Sequence, residues 1–229
     1  MCRWIDHGEE QSKCPIVMIL QKKFNFTGIE NIKDILEDGE GFVDSLVELN
    51  QNKWFIIDFL PERMENTYIF DSYFDIYHTK FDRRRNKEYL AYEHKFLQAI
   101  LKIVGYSDET YIISPELYKE YGQVPFKLPV SDRGEVYLGG VRNASLTFRI
   151  KSMAQLKRQK TEKQVNLRDL LKKGLRGQAE VTIFICDMKL MLSVSVMHVA
   201  CLMEQRNELM DKVVSTEGLY IRIPEEGSF

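Results

Sequence analysis

The chain has 229 residues, of which 44% are hydrophobic, 29% charged and 11% aromatic. That length and balance suit one large domain or two small ones, and exclude a disordered or disulfide-stapled class. A formal charge of −2 and a sequence pI of about 6.1 exclude the uniformly basic make-up of proteins that coat nucleic acid.

The opening segment "CRWIDHGEEQSKC" places Cys2, His7 and Cys14 at C-x4-H-x6-C spacing. A structural zinc site needs four ligands, with paired residues two to five positions apart, so no metal is expected here. Asp6, Glu9 and Glu10 interrupt any apolar leader, which points to a cytoplasmic protein with Cys2, Cys14, Cys186 and Cys201 reduced. The run 14–24, "CPIVMILQKKF", reads as a short apolar strand. In 26–51, Ile29, Ile32, Ile35 and Leu36 give one helical face, and Phe42, Val43, Leu46, Val47 and Leu49 give a second. The "DGEG" at 38–41 between them reads as a break, because glycine ends helices. The segment 53–61 reads as a buried strand closed by Pro61, with 66–74 pairing beside it.

The clearest helix spans 86–104, with Leu90, Leu97, Leu101 and Val104 flanked by Tyr89, Phe96, Ile100 and Ile103. Asn86 is placed to cap its start and Gly105 to stop it. Asp58 with Glu93 and Lys95 contains the acid, acid and lysine of a metal-dependent nuclease. On a helix, however, Glu93 and Lys95 diverge by about 200°, so the set does not converge. Ser114-Pro115 opens a further short helix. Two prolines and two glycines in 121–134 mark a candidate boundary, beyond which the chain turns mostly β, with two runs in 134–152.

The segment 149–176 stands out: ten Lys or Arg and only Glu162 and Asp169 against them, while residues 1–75 carry 15 acids and 7 bases. Within it, Asn166 reads as a cap, Leu167, Leu170 and Leu171 as an apolar stripe, and Gly174 as a stop. Arg168, Lys172, Lys173 and Arg176 are then expected to project outward. Lys157, Arg158, Lys160 and Lys163 fall on a polar lead-in. No aromatic residue lies between Phe148 and Phe184, so the segment offers phosphate contact without base stacking. The apolar run 181–203 is long enough to span a membrane, but Asp187, Lys189 and His198 inside it exclude insertion. It reads as a hairpin turning at 186–189, with Leu190, Leu192, Val194, Val196 and His198 alternating on one face and His198 as a core histidine. Residues 204–218 read as a helix and 219–223 as a last strand.

The expected fold is therefore α+β, with an N-terminal mixed helix/strand half (1–125) and a C-terminal antiparallel-sheet half (126–229). A basic helical insertion at 152–178 interrupts the second half, and the two halves are also compatible with one single domain. No nucleophile elbow, phosphate-cradling glycine loop or metal spacing appears in the sequence. The expected function is a non-catalytic, cytoplasmic protein-interaction subunit of a bacterium or mobile element, of adaptor, immunity or assembly type. It would need no cofactor, would bind a protein partner or its own copies, and would not enter a membrane. Its contact residues would be Lys157, Arg158, Lys160, Lys163, Arg168, Lys172, Lys173 and Arg176. The alternative is a nucleic-acid-binding accessory protein using 149–176, with weak affinity.

Overall fold

A computed structural model of the chain describes residues 15–36, 38–63, 83–115, 126–127, 145–149 and 162–224. The expected strand at 66–74, the first β run of 134–152, and Cys2, His7 and Cys14 lie outside them.

The described chain is α+β. Pro15–Lys23 forms a helix, α1, where a strand was expected. Proline suits the first helical turn, and the β-branched residues after it carry only a weak strand preference that tertiary contact overrides. Ile29–Leu36 forms a 3₁₀-helix, in which Ile29, Ile32 and Ile35, spaced by three, stack on one buried side. The helix α2 (Gly39–Leu49) buries Phe42, Val43, Leu46 and Val47. Asn50 clamps its end: the side-chain amide donates to the carbonyls of Thr27 and Leu46 and accepts from the Thr27 N–H.

The glycines of "DGEG" serve the start of α2 as well as breaking the preceding helix. Asp38 accepts a hydrogen bond from Gly41 N–H at 2.9 Å. A Cβ on Gly41 would lie 2.3 Å from Asp38 Oδ2, and one on Gly39 would lie 2.1 Å from Glu180 Oε2. Both glycines therefore let a carboxylate approach the positive end of the helix dipole.

The strands β1 (Trp54–Asp58), β2 (Thr110–Ile113), β3 (Phe126–Lys127), β6 (Val181–Ile185), β7 (Leu190–Ser195), β8 (His198–Met203) and β9 (Tyr220–Arg222) form one sheet in the order β3-β2-β6-β7-β8-β1-β9. Its neighbouring strands are antiparallel. β1 thus sits between two strands from the end of the chain, and the sheet draws on both sides of the 121–134 segment. A separate two-stranded ribbon pairs β4 (Ser145–Arg149) with β5 (Glu162–Asn166), so the last residues of the expected polar lead-in are a strand. The helices α3 (Arg83–Gly105), α4 (Leu167–Leu175) and α5 (Glu208–Thr216) complete the described elements.

Residues paired across antiparallel strands share a face, so the register separates the two sides of the sheet. One side carries the rows Ile112–Ile183–Leu192–Cys201–Phe55 and Val181–Val194–Val199–Ile57, each residue 4% exposed or less. Helix α4 packs on it through Gly174, where an added Cβ would lie 3.1 Å from Val194 and 3.3 Å from Val181. Helix α3 packs against both α4 and α5. Its buried stripe holds Tyr89, Phe96, Leu97, Ile100, Leu101, Ile103 and Val104, whereas Leu90 is 43% exposed. The helix begins at Arg83, so Asn86 lies inside it and is not its cap. Three arginines are good helix formers and extend it backwards.

The other side of the sheet is divided. Its row Phe184–Met191–Leu202–Trp54 is apolar, and Phe24, just after α1, meets the Phe184 ring edge-on at 5.4 Å. The next row is Thr182–Ser193–Ala200–Ile56–Arg222, followed by Ser195 opposite His198. There the small and polar side chains leave the sheet less tightly covered. His198 belongs to this side because the chain reverses at Val196 and Met197, the latter at φ 55°. The continuous alternation expected through Val196 and His198 is thus broken by a second hairpin turn. No glycine or asparagine announces it. Among the described residues no helix is long and apolar enough to cross a membrane.

Candidate functional site

The basic segment resolves into distinct parts. Lys157, Arg158 and Lys160 lie outside the described residues. Lys163 falls on β5, opposite Phe148. Helix α4 is held to the sheet by Leu167, Leu170, Leu171 and Leu175, all 4% exposed or less. Gly174 lies inside the helix instead of stopping it. The stop is Gly177, at φ +64°, with Gln178 N–H donating to Lys173 O at 2.8 Å and Gly177 N–H to Gly174 O at 2.9 Å.

Off the apolar stripe, Lys173 is exposed, while Lys172 and Arg168 are partly exposed. Lys172 Nζ lies 3.9 Å from Asp169, and Arg168 Nη2 lies 3.5 Å from His94 Nδ1. Arg176 departs from the outward orientation expected of it. Its Nε and Nη2 donate to Glu93 Oε2 and Oε1 at 2.5 and 3.0 Å, and the Glu93 side chain is only 4% exposed. A carboxylate taken out of water needs a paired, hydrogen-bonded cation, and Arg176 is the residue within reach. Tyr89 Oη donates to Leu175 O beside it at 3.1 Å, so this pair ties α3 to α4.

The members of the nuclease-like set are separately engaged. Asp58 accepts from Arg222 and from Leu60 N–H, Glu93 is held by Arg176, and Lys95 lies 4.9 Å from the centre of the Tyr92 ring. Among the described residues, no group of three or more His, Cys, Asp or Glu is placed to hold a metal ion.

A second surface lies where the sheet is polar. A groove of about 430 Å³ is lined by the first turns of α2, by Gly174 and the 177–179 connection after α4, and by strands β6 to β8. Glu40, Asp44, Glu180, Thr182, Ser193, Ser195 and His198 line it, and among the described residues no lysine or arginine does. Burial holds His198 below the usual imidazole range, outweighing its hydrogen bond to Val196 and the charges of Asp58 and Glu40. The ring is therefore neutral at pH 7. Its Nδ1 lies 3.2 Å from Val196 O, and since a carbonyl only accepts, Nδ1 carries the proton and Nε2 keeps a lone pair. Sequence reasoning missed this groove. Its only trace is the interruption of apolar strands by Thr182, Ser193 and Ser195 on alternate positions.

At the opposite end of the same strands, a polar network closes the β6–β7 turn. Asp187 Oδ2 accepts from Ser107 Oγ, Asp108 N–H and Glu109 N–H at 2.8, 2.5 and 2.9 Å. Burial alone would raise its pKa, but these hydrogen bonds and the Lys23 charge outweigh burial and hold it below the usual aspartate range. Glu109 in turn accepts from Lys23 and from Tyr111 Oη. Burial, with the Glu109 contact, pushes the Tyr111 phenol upward. Burial likewise pushes the Cys201 thiol upward, away from the thiolate a nucleophile needs. These groups fasten the turn to the start of β2.

Compared with protein-family models, with curated proteins and with solved structures, the chain matches none of them.

Proposed function

We infer that the protein is a non-catalytic, cytoplasmic interaction subunit of adaptor, immunity or assembly type that engages a protein partner through charged surfaces. The observation that supports this reading best is the outer side of α4. Four leucines lock the helix onto the sheet, while Arg168, Lys172 and Lys173 are displayed from it at fixed spacing. A rigid array of cations suits a partner of defined shape, because its geometry adds selectivity to charge. Nucleic acid would meet the same cations through phosphates alone, giving sequence-independent, salt-sensitive binding.

The two partners separate in one experiment. Reversal of Lys172 and Lys173 to glutamate should abolish a specific, saturable protein complex formed in native-host extract, and far-UV circular dichroism should remain unchanged. Binding to unrelated DNA duplexes should be micromolar or weaker at about 150 mM salt, and similar across sequences. Tight, sequence-selective nucleic-acid binding that the same reversal removes would replace the protein-partner reading with the nucleic-acid one.

A further inference from the structure

We propose that the groove between α2 and the polar half of the sheet is a recognition site for an arginine side chain presented on a peptide, a surface distinct from the basic side of α4.

The groove has a surplus of hydrogen-bond acceptors. Glu40 and Asp44 are exposed on the first turns of α2, and neither has a hydrogen bond or ion pair to another described residue. The hydroxyls of Ser193 and Ser195 are likewise without side-chain partners among the described residues. His198 presents a lone pair at Nε2 because its Nδ1 proton is given to Val196. Such a lining is complementary to a cation that only donates, and of the two cationic side chains guanidinium brings five N–H donors where ammonium brings three.

Thr182 makes the independent case for a ligand. The residue is 4% exposed, lines the groove, and its hydroxyl has no partner among the described residues. The hydroxyl is not one of the fully buried atoms left without a partner, so its open side is the groove itself, where a bound ligand can replace water as its partner. The acceptors also stand on two walls, carboxylates on α2 and hydroxyls on the strands. A planar fork directs donors along more than one edge and so suits acceptors on two walls, whereas an ammonium is a point charge at the end of its stem. Val43 and Ala200 offer an apolar contact for the methylenes behind the charged head. The volume of about 430 Å³ exceeds one side chain, leaving room for flanking peptide.

The test is a two-dimensional amide NMR titration of the full, ¹⁵N-labelled chain with three peptides: acetyl-Gly-Arg-Gly-amide, its citrulline analogue and its lysine analogue. Citrulline keeps the shape of arginine and lacks the charge. The arginine peptide should shift the amides of Thr182, Ser193 and Ser195 saturably, with the citrulline and lysine peptides at least about tenfold weaker, each tenfold being 1.4 kcal/mol. The double variant Glu40→Gln, Asp44→Asn should weaken arginine binding by at least about tenfold, and Thr182→Val by about threefold, with spectral dispersion preserved. The same variants should leave a complex made through α4 intact. Citrulline or lysine binding as tightly as arginine, shifts centred elsewhere, or no saturable shift at about 10 mM peptide would overturn the assignment.

Discussion

Replacing Arg176 with methionine removes the cation from a buried carboxylate and keeps most of the side-chain volume. Glu93 is then left with a 4% exposed side chain and without the two hydrogen bonds it accepts at 2.5 and 3.0 Å. Breaking a buried pair on one side typically costs about 3–5 kcal/mol, because the remaining charge is uncompensated. The Arg176 side chain keeps 24% exposure, so water reaches the site and the loss should fall near the lower end, about 3 kcal/mol. In a chain of this size, that corresponds to a fall in Tm of roughly 6–12 °C. The double variant Glu93→Leu, Arg176→Met replaces both charges by apolar groups, and should lie within about 1 kcal/mol of the parent. Urea unfolding followed by tryptophan fluorescence and circular dichroism, with coincident transitions, measures both. A loss below about 1 kcal/mol in Arg176→Met, or a double variant as unstable as the single, would show that the pair does not hold α3 to α4 as described.

Two further substitutions probe the ends of the sheet. Gly39→Ala would stabilise a helix by at most about 0.5–1 kcal/mol, the value for a helix interior, but here its Cβ displaces the Glu180 carboxylate, so no gain is expected. The gain should reappear when Glu180 is alanine, and equal effects in both backgrounds in thermal melts would refute the contact. Asp187→Asn should destabilise at pH 7. The folded pKa of Asp187 is depressed, so its contribution is present above the ordinary aspartate value of about 3.9 and is lost as pH falls through the lower folded value. Urea midpoints should therefore differ by a constant amount from about pH 8 to 5 and converge below about pH 4; a difference that widens on acidification would contradict the network.

Local chemistry alone marked much of the scaffold. The double apolar stripe of 86–104 falls within the helix Arg83–Gly105, the 186–189 turn joins two strands, and 204–218 and 219–223 contain the helix Glu208–Thr216 and the strand Tyr220–Arg222. These signals are legible because each segment buries one face with its own period, whatever its neighbours are. Features that depend on what lies opposite were not legible. Pro15–Lys23 is helical although its residues favour strand, and β1 is inserted between β8 and β9 from the far end of the chain. Arg176 turns inward because Glu93 is buried beside it, 83 residues away in sequence. The acidic groove exists because Thr182, Ser193 and Ala200 align in one row and α2 brings Glu40 and Asp44 against it. Composition reveals how many charges a chain carries and how they are distributed along it. Which of them are spent on each other and which are left for a partner is decided by through-space distance and burial, and only the tertiary structure sets those.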